Sequence, residues 1–290
     1  MTTRRSFISA FGAAAAGLTL PPSLLASCRP RSDAQTGEAS TALGGIGVQL
    51  YLLRGAMQRD VEGTLARIAE LGFREVEWWG SYGRSAEELK GLLDKNGLTS
   101  PAVHVDSREL APDRLETTLA RAEAMGQRWV IVPSTNPPQR NTEGYTALAQ
   151  LLSAAGRAGA SRGIRAGFHN HDYDFAARDG GTLWSVLARE SDPSVVDLEL
   201  DCYWAFKSGH DPLTVLRAHG SRIAHLHIKD SMGPPAHTMV DAGAGVLDWK
   251  AIIDEGTARG VRHVYVEHDS PADAWDSASA GLGHLKALGY

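Results

Sequence analysis

Cysteine is almost absent from this chain: Cys28 and Cys202 are the only two in 290 residues. Two thiols are too few for a disulfide scaffold or a thiolate-rich zinc site. An excess of positive charge is missing as well. Lys+Arg total 29 against 34 Asp+Glu, for a formal net charge of -5 and a pI near 6.1. The basic footprint of a nucleic-acid binder is therefore not there. No Gly-x-Gly-x-x-Gly follows the first β-rich run, and no Walker-type Gly-Lys-Ser/Thr occurs, which removes the common dinucleotide and P-loop sites. The composition that remains, 43% hydrophobic and 22% charged, is ordinary for a globular protein and excludes disorder, collagen and a multi-pass membrane protein. A chain of this length buries roughly 75% of its unfolded surface.

The first residues read as an address. Thr3-Arg4-Arg5-Ser6-Phe7-Ile8 is a twin-arginine pattern, and an apolar run follows from Phe7 to Leu20. That run is short of the ~20 residues that span a bilayer, as in an export signal. Leu25-Ala26-Ser27-Cys28 resembles a bacterial lipobox, which implies cleavage before Cys28 and lipidation of its thiol; an ordinary signal with a stray cysteine is the plainer alternative. The expected organisation is an export and lipoprotein signal over 1–28, a flexible linker of small polar residues over 29–43 and a catalytic domain over 44–290. The expected location is outside the cytoplasm, periplasmic or held at a membrane by a lipid anchor alone.

From Gly45 onward, β-rich runs alternate with helical patterns. Strands are expected at 46–54, 74–79, 100–106, 128–133, 165–171, 195–201, 223–230 and 264–269. Val61-Leu65-Ile68-Leu71, Leu115-Leu119-Ala122 and Leu148-Leu151-Leu152-Ala155 have helical spacing. Gly72, Gly97, Gly126, Gly163 and Gly260 each follow a helical stretch, where a left-handed C-terminal residue is wanted. Such alternation means parallel βαβ units, and eight of them make a single α/β (β/α)₈ TIM barrel.

Barrel chemistry sits at the C-terminal ends of the strands, so polar residues there are informative. Glu77 lies in strand two, and His104 and Asp106 end strand three. Strand five ends in Phe168-His169-Asn170-His171-Asp172. Strand six reads Asp197-Leu198-Glu199-Leu200-Asp201, strand seven His225-Leu226-His227-Ile228-Lys229-Asp230, and strand eight Tyr265-Val266-Glu267-His268-Asp269. One such residue is usually a hydrogen-bonded core group. Six strands contributing to one mouth is a different matter, because a buried charge needs a partner or a metal. By alternation Glu199 and Asp201 share one face of strand six, and His225, His227 and Lys229 share one face of strand seven. Asp201, His227 and Glu267, with His169 in the matching place on strand five, are the barrel-facing set nearest the mouth. Two imidazoles and two carboxylates suit one borderline divalent ion such as Mn²⁺, Co²⁺ or Zn²⁺; Mg²⁺ prefers more oxygen.

The chain resembles the sugar phosphate isomerase/epimerase family, the xylose-isomerase-like TIM barrels. The resemblance is carried by Gly47-Val48-Gln49-Leu50-Tyr51, the 168–175, 197–201 and 225–230 motifs, Gly243-Ala244-Gly245-Val246-Leu247-Asp248-Trp249 and Tyr265-Val266-Glu267. It implies a divalent metal held by His169, Asp201, His227 and Glu267. Epimerases of the family often carry Glu where His169 stands, paired with the last-strand Glu as acid and base. Here that shuttle is incomplete.

A chelated sugar carbonyl and hydroxyl would have their enediolate stabilised by the ion. Glu267, His171 and His104 are candidate proton-transfer groups, and Lys229 a candidate for substrate oxygens or the developing oxyanion, or else for a salt bridge to Asp230 or Glu199. Glu77 and Trp204 are candidate substrate contacts, with Trp78 and Trp79 as further sugar-ring floors or plain core. Reprotonation gives isomerisation or epimerisation of an unphosphorylated sugar or keto-sugar; loss of a β-leaving group gives cleavage of a 3-keto-glycoside. A non-catalytic carbohydrate-binding lipoprotein is a third reading. An abasic-site endonuclease would want a basic groove. A glycoside hydrolase using Glu199 and Asp201 would want its carboxylates on opposite sides of the bond. The expected partner is a small sugar or glycoside.

Overall fold

Eight parallel strands close on themselves in chain order: β1 (Ile46–Gln49), β2 (Glu75–Trp79), β3 (Ala102–His104), β4 (Trp129–Val132), β5 (Arg165–His169), β6 (Val196–Asp201), β7 (Ile223–Ile228) and β8 (His263–Val266). β8 returns to pair with β1, with Ile46 opposite Val264 and Val48 opposite Val266. The computed structural model describes residues 43–178 and 180–290. The expected signal, its Cys28 and all of the expected linker before Leu43 lie outside the described residues. Among the described residues, no helix is long and apolar enough to cross a membrane.

One long helix follows each strand: α1 (Val61–Leu71), α2 (Ala86–Lys95), α3 (Leu115–Ala124), α4 (Thr142–Gly159), α5 (Leu183–Glu190), α6 (Pro212–His219), α7 (Trp249–Arg259) and α8 (Ala274–Ala287). The starts are chemically marked. Asp60, Asn141, Asp211, Asp248 and Asp273 each accept a backbone N–H at the head of a helix, and Ser85 closes a capping box with Glu88. In α4, Tyr145, Leu148, Ala149 and Leu152 recur on the buried face. Gly72 ends α1 at φ 105°, a conformation that a Cβ would disfavour.

The expected strands are all present but most run short of their expected ends. Leu50, Leu52 and Leu53 are buried and apolar, yet they form a turn between β1 and a short helix, Arg54–Arg59. Burial by the loops above the barrel keeps these residues apolar without any strand. On β7 the strand stops at Ile228, so Lys229 stands just beyond it.

Inside the barrel, Gly47 faces the Tyr265 ring. A Cβ at Gly47 would stand 2.5 Å from a ring carbon of Tyr265, and Tyr265 is fully buried. Absence of a side chain on β1 is what admits the large ring on its neighbour β8. Gly47→Ala is therefore expected to cost about 1–3 kcal/mol by overpacking, read as a lower denaturant midpoint with an unchanged slope.

The Gly243–Trp249 motif also has a structural cause. The buried Asp230 carboxylate accepts from the backbone N–H of Ser231, Gly243 and Leu247 and from Trp249 Nε1. A Cβ on Gly245 would collide with Asp230 Oδ1 at 2.2 Å. The motif is thus a loop folded around one carboxylate.

Candidate functional site

Strand alternation sorts the polar interior into two levels. On β6, Glu199 and Asp201 share a face and differ by two residues, so Asp201 sits ~6.6 Å further toward the mouth. Across the ladder Asp201 is level with His227, and Glu199 with His225 and His169.

The upper level gathers around Lys229. Its Nζ lies 2.9 Å from Asp201 Oδ2, 2.6 Å from Glu267 Oε2 and 3.0 Å from Asp269 Oδ1. His227 Nδ1 is 2.8 Å from the same Glu267 Oε2 and 3.9 Å from Asp201 Oδ2, and His169 Nε2 is 3.7 Å from Asp201 Oδ2. Asp201 Oδ1 accepts from the backbone N–H of Trp204, so this carboxylate also caps the short helix Cys202–Lys207. Asp201 Oδ2 is within ion-pair reach of Lys229 but outside hydrogen-bond geometry, and it has no hydrogen bond among the described residues.

The lower level centres on Glu199. Its Oε2 lies 2.7 Å from His104 Nε2, 3.1 Å from His169 Nδ1 and 3.3 Å from His227 Nε2. Glu77 Oε2 stands beside it, 2.7 Å from His227 Nε2 and 3.2 Å from His104 Nε2, and takes an N–H from the Gln49 amide. Glu77, Glu199 and His227 are fully buried.

This crowding sets the protonation states. Burial opposes charge on His227, but Glu199, Glu77 and Glu267 overcome it and hold its pKa well above the usual value. Burial likewise opposes charge on His104, which Glu77 and Glu199 raise nevertheless. Burial, reinforced by the charge on Glu199, pushes Glu77 up to about 7. Burial pushes Asp201 up to about 6 against the pull of Lys229. Burial and then Lys229 drive His171 down to about 3. Glu267 goes the other way: against its burial, Lys229 and His227 hold it well below the carboxylate range.

Above these levels opens a cavity of about 420 Å³, whose lining includes His104, His169, His171, Trp204, Glu267, Asp269, Tyr51, Arg54 and Trp79. The volume is in the range of small-ligand sites. His171 Nδ1 and Trp204 Nε1 are buried without a hydrogen-bond partner among the described residues. Arg54 donates to the backbone oxygens of Tyr51 and Asp269, which ties the β1 and β8 loops together.

Three of the four expected metal ligands, Asp201, His227 and Glu267, come together, whereas His169 stands 3.7 Å from Asp201 and groups instead with His104, Glu199 and His227; His104, His171 and Trp204 lie at the cavity wall. One expectation is corrected, and two alternatives that the sequence left open are narrowed. Glu77 is not a substrate contact: it is 0% exposed, outside the cavity lining, and committed to Gln49 and His227. Trp78 is core, with its Nε1 donating to the Gly80 carbonyl. Lys229 pairs with neither Asp230 nor Glu199, because Asp230 is already taken by the 243–249 loop. Asp269 and the hub role of Glu199 escaped the sequence reading. Asp269 had a signal, since it stands two residues beyond Glu267.

The residues suit a divalent ion. One atom each of Asp201, His227 and Glu267 lies within 4.8 Å of the others, and the set His104, His169, Glu199 and His227 meets the same condition. The buried Asp201 Oδ2, lacking a hydrogen bond, is the kind of atom a cation completes.

A family model described as xylose isomerase-like TIM barrel matches residues 65–288. The rhizopine catabolism protein MocC of Rhizobium meliloti is 25% identical over 264 residues, covering 77% of this chain and 79% of MocC. A sugar phosphate isomerase/epimerase from Parabacteroides distasonis superposes with a TM-score of 0.74 at 20% identity, over 86% of this chain and 98% of that one. The IolI protein, whose structure holds a zinc atom, superposes with a TM-score of 0.65 at 14% identity, over 84% of this chain and 97% of that one.

Proposed function

From the premise that the chain belongs to the xylose isomerase-like TIM barrel family, we propose that its mouth removes a proton next to the carbonyl of an unphosphorylated sugar or keto-sugar, as a divalent-metal-dependent isomerase or epimerase. The observation that carries this reading is the meeting of Asp201, His227 and Glu267 around a common point, with His169 beside Asp201, at the floor of a sugar-sized cavity. When bound there, Mn²⁺, Co²⁺ or Zn²⁺ supplies Lewis-acid polarisation of a substrate carbonyl. The zinc in the IolI barrel supports the choice of ion class.

The protein's own groups do the rest. Glu267 lines the cavity and is the carboxylate beside the reacting carbon. His171, held neutral by its burial and by Lys229, offers an unpartnered Nδ1 for a hydrogen bond with a substrate hydroxyl. Both nitrogens of His104 are engaged, Nε2 with Glu199 and Nδ1 with Gln49 at 3.3 Å, so it orients rather than accepts. Trp204 and Trp79 present flat faces for a sugar ring. Arg54 is the only arginine or lysine among the described lining residues, and its guanidinium is committed to backbone carbonyls. A phosphate would find no free cation there, which supports an unphosphorylated substrate.

One observation favours a second reading, a lyase that expels a β-leaving group from a 3-keto-glycoside. His169, standing where a second glutamate would serve as acid or base, is held between Glu199 and Asp201. With Glu267 the one carboxylate left for proton transfer, epimerisation on two faces lacks its second group, whereas elimination needs one base for the proton beside the carbonyl, which can then pass that proton to the departing oxygen. With added Mn²⁺, free ketoses should be converted to a new sugar under the first reading, and a 3-keto-glycoside should release its aglycone under the second. Neither product from the purified protein would overturn both.

A further inference from the structure

The same site contains a cation of the protein's own. Lys229 Nζ is within 3.0 Å of one oxygen on each of Asp201, Glu267 and Asp269, and Lys229 is only 1% exposed. We infer that Lys229 is a built-in competitor for the divalent ion: its ammonium neutralises Asp201 and Glu267 in the metal-free protein and shifts onto Asp269 when the ion binds. This inference rests on the metal reading above.

Steric and electrostatic reasons agree. A divalent ion binds nitrogen and oxygen ligands at ~2.0–2.2 Å. The ammonium sits 2.6 Å from Glu267 Oε2 and 2.9 Å from Asp201 Oδ2, the two oxygens the ion needs. Two cations sharing those oxygens would repel strongly in a buried site. Loading therefore requires Nζ to leave.

Its destination is already in contact. Asp269 Oδ1 holds the ammonium at 3.0 Å. Its second oxygen, Oδ2, is buried with no partner among the described residues, although Asp269 as a side chain is 28% exposed. Asp269 also lines the cavity, as does Trp204, whose ring lies 5.7 Å from Nζ. A small swing of the four-carbon stem brings Nζ toward Asp269 and the open volume. Metal loading would then leave the ammonium paired with Asp269 alone, whereas in the metal-free state it is shared among three carboxylates.

Removing the competitor and removing its refuge should have opposite effects. Calorimetric titration of Mn²⁺ into the full chain, with Glu267→Gln as the site-loss control, reads both. Lys229→Gln and the stem-preserving Lys229→Met should bind Mn²⁺ about tenfold tighter or better. Lys229→Arg, which keeps the charge, should not. Asp269→Asn should bind it more weakly, because Asp269 is the ammonium's only remaining carboxylate once the ion is in place. In thermal melts, the uncharged Lys229 variants should lose stability without metal and gain more from Mn²⁺ than the wild type does. Equal affinities in wild type and the folded uncharged variants would overturn the competition while leaving the metal site standing. No binding by any variant with an intact Asp201 and Glu267 would sink both.

Discussion

Asp201→Asn is expected to abolish retention of the divalent ion and to lower turnover by roughly three orders of magnitude. The two oxygens of this carboxylate have different jobs. Oδ1 accepts the Trp204 N–H and starts the short helix Cys202–Lys207; Oδ2 faces Lys229 at 2.9 Å and His169 Nε2 at 3.7 Å. The amide can keep the first job, since Asn is as good a helix cap as Asp. It cannot keep the second, because it brings no charge to the cation. Asp201→Ala loses both, and the missing cap adds ~1 kcal/mol of destabilisation. Comparing the two variants separates the site from the fold: Asn should lose metal in titration with only a modest change in melting, while Ala loses metal and melts earlier. Wild-type turnover in either would refute the ligand assignment.

Why the sequence pointed to the right strands but not to every role can be stated in terms of level. Alternation tells which residues share a face of a strand. It does not tell how high one strand stands against the next, and register decides that. Glu77 and Glu267 look alike in sequence, each in an apolar run with an aromatic neighbour. β2 places Glu77 beneath the cavity, fully buried, while Glu267 follows the end of β8 and faces the open volume. The helices were legible because apolar spacing marks their buried faces and glycines mark their ends: Val61, Leu65 and Ile68 are buried in α1, and Gly72 closes it. The strand ends were not, because Leu50, Leu52 and Leu53 are apolar for the sake of loop burial rather than strand pairing. The partners of Lys229 come from β6 and from the segment after β8, elements separated in sequence by more than sixty residues, so no local pattern could reveal them.

The second large effect belongs to the lower level. Glu77 and Glu199 both face His104 and His227, through contacts of 3.2 and 2.7 Å from Glu77 and 2.7 and 3.3 Å from Glu199. Each carboxylate therefore backs up the other. With Glu199→Gln, Glu77 no longer feels a like charge beside it; it ionises more readily and takes over part of the pairing. With Glu77→Gln, Glu199 still serves both rings as well as His169. Either single variant should cost about 2 kcal/mol, partly offset by this relief. The double variant strips both rings of their lower anions and leaves His227 with Glu267 at 2.8 Å and the more distant Asp201 at 3.9 Å. Its loss should exceed the sum of the singles by about 1–3 kcal/mol. Chemical denaturation of the four proteins closes the cycle. Simple additivity would mean that the carboxylates act separately, contrary to the shared contacts. The same cycle bears on the mouth, because His227 joins the levels: its Nε2 faces Glu77 while its Nδ1 faces Glu267. Loss of both lower anions frees Nε2 from any carboxylate, and the orientation of the ring toward the ion is lost with it. The double variant should accordingly bind Mn²⁺ more weakly than either single, though neither glutamate touches the cavity.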